Sequence, residues 1–311
     1  MPLSSRLPVY GTFLFHKANA HLQNAKNVGT FALRRMSSLP QGSYQNLVVE
    51  KVSNITTIGI NRPEKRNCVN LATAKELQEA FKAFESDNSS TAAVLYGNGG
   101  HFSAGLDLKE ISEFPNDFNF LETGNYTPKS SEGVGPMGPS RRIFAKPVIA
   151  AVSGYAVAGG MEIALMCDLR VVEETATFGI FCRRFGVPLI DGGTIRLPNL
   201  IGLSRAMDLI LTGRPVKGKE ALQIGLANRL VPTGSSFNEA VKLAKEISSF
   251  PQDCMNTDRK SAYAAMFSAQ SFEDSVEREM EQGLKVLHKE SIQGAGKFAS
   301  GIGKHGKFET Q

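Results

Sequence analysis

Residues 146–162 read Lys146-Pro147-Val148-Ile149-Ala150-Ala151-Val152-Ser153-Gly154-Tyr155-Ala156-Val157-Ala158-Gly159-Gly160-Met161-Glu162. The apolar run Pro147–Val152 is strand-length and stops at Ser153-Gly154, which marks a buried strand. Gly154 to Gly160 reads as a glycine-broken connection into a helix over Met161–Cys167. A second stretch, Gly99-Gly100-His101-Phe102-Ser103-Ala104-Gly105-Leu106-Asp107-Leu108, repeats the pattern after a short buried strand at Ala92–Tyr96. Each turn places unpaired N–H groups at a helix N-terminus, where the partial positive charge favours an incoming anion. One such turn serves packing in many α/β proteins. Two together, the second followed three residues later by a carboxylate, form a chemical constellation. Small residues let a ligand approach the backbone, and a carbonyl turning into an enolate gains charge that two preorganised N–H donors stabilise by several kcal/mol.

Outward from these turns, Leu47–Val52 and Thr56–Ile60 flank Ser53-Asn54 as a hairpin. Asn61-Arg62-Pro63-Glu64 breaks the chain, and Asn70 caps a helix through Phe84 with Leu71, Ala74, Leu77, Phe81 and Phe84 on one stripe. Phe114 to Pro139 is rich in Asn, Ser, Gly and Pro and reads as a long loop over a site. Arg141–Ala145 reads as a short helix, and Leu169–Glu173 as a strand. Alternating strands and helices argue for an α/β arrangement. Beyond Gly202 the chain reads as helical, with Met207–Leu211, Gly218–Ile224, Asn238–Ser248 and, longest, Glu273–Lys289. Val276, Met280, Leu284 and Leu287 form an apolar stripe on that last helix, core or interface material. Gly294–Phe308 reads as a basic solvated tail.

The net charge of +5 is uneven along the chain. Residues 1–49 contain Arg6, Lys17, Lys26, Arg34 and Arg35 and no acid. Beyond them the remaining 30 basic residues meet 30 acidic ones, a balance that argues against nucleic-acid binding. An acid-free segment rich in Ser, Ala, Asn and Leu has the composition of a mitochondrial transit peptide, and cleavage after Met36 fits Arg35; a tail without an address is the other reading. The longest apolar run, Val148–Ala158, falls short of a membrane span. Cys68, Cys167, Cys182 and Cys254 show no CxxC spacing, and the histidines are equally scattered, so neither a disulfide frame nor a metal site is expected.

With Asn61-Arg62-Pro63, Thr177-Phe178-Gly179, Gly192-Gly193-Thr194, Arg196-Leu197, Leu211-Thr212-Gly213 and Gly225-Leu226, the two turns resemble the crotonase superfamily of enoyl-CoA hydratases and isomerases, from about Leu47 to Phe308. The resemblance implies a spiral of ββα units (core 45–235) and a C-terminal helical region (236–311) that assembles trimers, often paired into hexamers; residues 1–36, by their composition, are expected to be a disordered leader to the mitochondrial matrix. It implies an acyl-CoA substrate, no further cofactor, and oxyanion N–H groups from Leu106 and Gly159. For the CoA moiety the matching candidates are Lys65, Arg66, Ala104, Leu106 and Lys109, with Lys297 and Phe298 from the C-terminal segment; a solvated surface is the other reading for Lys65 and Lys109. Glu162 matches the first catalytic glutamate, and burial would raise its pKa into a useful range. Its other reading is a carboxylate complementing the helix dipole. The family's second glutamate is replaced here by Cys182, followed by Arg183 and Arg184, which would lower the thiol pKa or face solvent. Asp191 is either a catalytic partner, as in the family's dienoyl-CoA isomerases, or the N-cap of the helix starting near Gly192. Three activities stay open: a hydratase-type lyase, a double-bond isomerase, and a low-turnover acyl-CoA-binding protein.

Overall fold

The computed structural model of the chain describes residues 44–115, 117–118 and 133–304. The leader and most of the Phe114–Pro139 loop lie outside the described residues. Strands β1 (Leu47–Val52) and β2 (Ile55–Ile60) form the expected antiparallel hairpin, in register Leu47↔Ile60 through Val52↔Ile55. Ser53 takes a positive φ of 61° at its turn. Helix α1 (Leu71–Ser86) starts where Asn70 accepts the Thr73 N–H at 2.9 Å, and it buries Ala74, Leu77, Phe81 and Phe84. Phe81 stacks on Phe144 at 4.6 Å between ring centroids.

Strand β3 (Ala92–Gly97) pairs in parallel with β2. It is followed by a short helix, α2 (Leu108–Ser112), which stands where the sequence places a helix after the first turn. Strand β4 (Val148–Val152) leads into β5 (Tyr155–Val157) and helix α3 (Gly159–Met166), so the supposed connection contains a strand and the helix starts at its glycines. Then follow β6 (Leu169–Glu173), β7 (Thr177–Gly179), α4 (Gly193–Ile201), α5 (Leu203–Thr212), β8 (Val216–Lys217), α6 (Gly218–Gln223) and β9 (Arg229–Val231). Two sheets result, a six-stranded one in the order β1-β2-β3-β4-β6-β9 and a three-stranded one in the order β5-β7-β8. All pairings in the larger sheet except β1–β2 are parallel. Its inner strands are buried on both faces, which is why Val148–Val152 reads as an unbroken apolar run.

No helix forms over Arg141–Ala145. The backbone groups such a helix would pair internally are taken by distant side chains. Arg196 donates to the carbonyls of Ser140 and Arg142, Arg259 donates to that of Phe144, and Glu85 accepts the Ala145 N–H. Local propensity loses to tertiary hydrogen bonds.

Helix α7 (Ser236–Ser248) lays Ala240, Val241, Leu243 and Ala244 on the outer face of the large sheet, beside Ile149 and Val171. Helices α8 (Gln252–Phe267), α9 (Phe272–Val286) and α10 (Ile292–Ala299) complete the described chain, a π turn at Leu287–Ser291 joining the last two. Gly294–Phe308 is helical over its first part, where α10 continues the course of α9, and its residues there are exposed. Glu290 fixes it by accepting the Asp253 and Cys254 N–H groups at the start of α8. Among the described residues, no helix is long and apolar enough to cross a membrane.

The helical region is clasped to the sheet by Asp168. Its Oδ1 accepts from Arg259 Nε at 2.7 Å and Tyr263 OH at 2.8 Å, while Oδ2 accepts the Val148 N–H at 2.8 Å. Both partners of the ion pair are largely shielded from water. We expect Asp168→Ala to cost about 3 kcal/mol in urea unfolding, since it strands a mostly buried guanidinium, and to make α8 the first site of proteolytic nicking; an unchanged urea midpoint would contradict this.

Candidate active site

The two turns picked out in the sequence lock into each other. Ser103 donates its N–H to Tyr155 O and accepts from Val157 N, so β5 lies against the first turn. Gly105 has φ +92°, and a Cβ there would sit 2.9 Å from the Gly159 nitrogen. A side chain at 105 would cover the second amide. Ala158 is held at φ 54° and ψ −128°, a conformation that costs a non-glycine residue of order 1–3 kcal/mol. Its N–H bonded to Gly179 O at 2.8 Å and its carbonyl, accepting from Met161 N and Glu162 N, keep it there. The result frees the next amide, that of Gly159. Among the described residues, neither the Leu106 N–H nor the Gly159 N–H meets an acceptor within the fold.

The Asn61-Arg62-Pro63 motif is the scaffold of the first turn. Arg62 donates to Cys68 O at 2.7 Å and to Asp107 Oδ2 at 2.9 Å, a buried ion pair. Burial alone would raise the Asp107 pKa; the hydrogen bond and charge of Arg62 outweigh it and hold the carboxyl below its ordinary value. Asn67 is fully buried, donates to Asn98 O and His101 O, and accepts the Arg62 N–H.

Leu106 and Gly159 line a chamber of about 80 Å³ together with Ala104, Ala158, Glu162, Cys182, Asp191 and an apolar wall that includes Phe181 and Phe185. Glu162 is 3% exposed. Its Oε1 accepts the N–H groups of Asp191 at 2.9 Å and Gly193 at 2.8 Å, so Glu162 caps the N-terminus of α4. Asp191 therefore does not cap that helix. Its Oδ1 turns the other way and accepts from Met137 N at 2.9 Å and, in a short bond, from Ser140 Oγ. Arg196 braces the same corner through Asp191 O at 3.1 Å and Ser140 O. Sequence reasoning missed Met137 and Ser140 because a loop residue's partner fifty positions away leaves no local signature.

Burial, then the negative charge of Asp191, pushes the Glu162 carboxyl up to about 8. Burial also raises Asp191. The two carboxyls titrate as a coupled pair and not as independent groups. Burial and the Glu162 charge push the Cys182 thiol up as well. The charge of Arg183 lowers it but is outweighed; both arginines are exposed, Arg183 donating to Ile210 O and Arg184 lying over the Phe181 ring.

The CoA candidates separate into two groups. Arg66 O accepts the Ala104 N–H at 3.0 Å, Lys65 Nζ lies 3.9 Å from Asp107 Oδ2, and Lys109 follows on α2, so these gather about the first turn with Leu106. The Arg66 guanidinium lies 5.9 Å over the Tyr155 ring. Lys297 and Phe298 sit on α10, with Phe298 exposed, and neither lines the chamber.

The family model of enoyl-CoA hydratase/isomerase matches residues 50–300. The chain belongs to that family. It is 37% identical over 243 residues to a probable enoyl-CoA hydratase of Rhizobium meliloti (strain 1021), covering 78% of this chain and 87% of the relative. A probable mitochondrial enoyl-CoA hydratase of Dictyostelium discoideum is 34% identical, with 65% of this chain and 70% of that one covered. The crystal structure of enoyl-CoA hydratase from Mycobacterium tuberculosis H37Rv superposes with a TM-score of 0.73 at 32% identity, covering 82% of this chain and 96% of that one. The crotonase fold expected of an enoyl-CoA hydratase/isomerase family member is thus present, helical C-terminal region included.

The coupled carboxyls give a spectroscopic prediction. A protonated-carboxyl band in infrared difference spectra is expected to persist to neutral pH and disappear as pH rises through about 8, and to be reduced in Glu162→Gln. Because the folded pKa of Glu162 lies above its ordinary 4.5, its contribution to stability is complete below 4.5 and is lost as pH rises toward 8. A band that vanishes already near pH 5 would refute the coupling.

Proposed function

We propose that this enoyl-CoA hydratase/isomerase family member adds water across the double bond of a 2-enoyl-CoA thioester. The observation that carries the reading is the pair of unpartnered N–H groups, Leu106 and Gly159, lining one small chamber with Glu162 and Asp191. The thioester oxygen accepts both N–H groups. As water oxygen bonds to the β-carbon, the π electrons move toward the carbonyl and the oxyanion gains charge where those donors point. One carboxyl of the Glu162–Asp191 pair takes the water's proton, and the other, protonated, delivers its proton to the α-carbon. A pair that shares one proton contains an acid and a base at once, so Cys182 in place of a second glutamate does not leave the reaction a proton short. Names of the relatives, hydratases in each case described above, support water addition over double-bond migration.

Two coarser readings accompany this one. The acid-free leader, together with the mitochondrial Dictyostelium relative, supports import into the mitochondrial matrix. The apolar stripe of α9 and the π turn after it, in which Val276, Met280, Leu284 and Leu287 are each at least 45% exposed, supports assembly into a homotrimer or hexamer.

The test is loss of the conjugated enoyl-thioester absorbance of crotonyl-CoA. We expect Glu162→Gln to lower kcat/KM by about 10³-fold and Asp191→Asn by about 10²-fold, the range of a lost proton-transfer group. Acyl-CoA binding without turnover, unaffected by Glu162→Gln, would make the chain a binding protein.

A further inference from the structure

A second cavity of about 580 Å³ lies beside the 80 Å³ chamber. Consecutive residues face the two spaces in turn. Pro188 and Asp191 line the chamber, whereas Leu189, Ile190 and Gly192 line the outer cavity. Pro136 also lines the outer cavity, and its neighbour Met137 packs against Gly159 and is bonded to Asp191, both of which line the chamber.

Met137 is fully buried. A Cβ placed on Gly159 would come within 2.7 Å of its Sδ and 2.9 Å of its Cγ, so the thioether packs directly behind the oxyanion glycine. Its N–H is held by Asp191 Oδ1. Ser140 bonds the same carboxylate oxygen, and Arg196 holds Ser140 O and Arg142 O. The backbone that carries Met137 is therefore pinned independently of its side chain. Truncation there leaves a void in place of a collapsed loop. Beyond it, Ile143, Leu189, Ile190, Ile195 and Phe267 offer an apolar lining suited to an alkyl chain.

We infer that Met137 sets the acyl-length limit of this site: it restricts the chamber to short acyl groups, and cutting it back admits longer chains into the outer cavity. The inference rests on the acyl-CoA reading above, but not on which reaction follows binding. Methionine is unbranched and adaptable, so the barrier is one of volume and not of a specific contact.

The test is calorimetric titration of the full chain with the saturated thioesters butyryl-, hexanoyl-, octanoyl- and decanoyl-CoA, which cannot be hydrated. Wild-type protein is expected to bind decanoyl-CoA at least about tenfold more weakly than butyryl-CoA, and Met137→Ala to reduce that ratio about tenfold, the scale of a few methylenes of burial. Met137→Leu, similar in volume, should keep the wild-type ratio. Met137→Val should fall between them, and it decides the matter if Met137→Ala does not fold. A wild-type protein indifferent to chain length, or a Met137→Ala protein that binds every thioester more weakly by one factor, overturns the inference. Failure to hydrate crotonyl-CoA with the length ratio intact would sink the proposed reaction and leave this assignment standing.

Discussion

Glu162 Oε1 receives the main-chain N–H groups of Asp191 and Gly193, and most of the site's chemistry descends from those two bonds. They let a carboxyl sit almost wholly out of water on α3 while the N-terminus of α4 supplies what solvent would otherwise give. They also relieve Asp191 of the capping role its position before Gly192 suggests. With its own backbone N–H spent on Glu162, Asp191 can turn its side chain toward Met137 and Ser140. Two acids are thus held at one corner with different donors on each. That asymmetry is what a shared proton needs, since like charges in a desolvated space cannot both ionise.

The oxyanion turns show how local strain is held by long-range structure. Ala158 occupies a backbone region that suits glycine, and nothing in its own side chain explains why it stays there. The bond from its N–H to Gly179 O, on β7, supplies the restraint, and the pairing of β5 with β7 keeps that acceptor in place. The first turn is held from below by Arg62 and Asn67, both buried. Neither loop would hold its amide open alone.

Much of this was legible in the sequence. Buried strands, the Asn70 cap and the two glycine-bearing turns are local patterns, and each formed close to where periodicity placed it. The failures share one physical cause. Arg141–Ala145 has helical composition, but its backbone partners are Arg196, Arg259 and Glu85, each more than fifty residues away. Whether Asp191 capped its helix depended on a rival acceptor, Glu162, that no spacing rule connects to it. Of the two readings of Arg183–Arg184, the activated thiol fails because burial of Cys182 outweighs the Arg183 charge, and the solvent-facing one holds. The packing of Met137 against Gly159 had no sequence signal at all, because a methionine in a glycine- and proline-rich loop looks like any other loop residue.

Arg196 carries a final consequence. Its planar head holds the carbonyls of Ser140, Arg142 and Asp191 at once, so one side chain on α4 sutures the segment 133–142 to the helix start. A lysine there would keep the charge and lose the fork. Spontaneous opening of that segment must break the same bonds that order the α4 N-terminus. Loop and helix end therefore behave as a single cooperative unit, exchanging their amide hydrogens together, while the interlocked turns on the far side of the chamber stay shut.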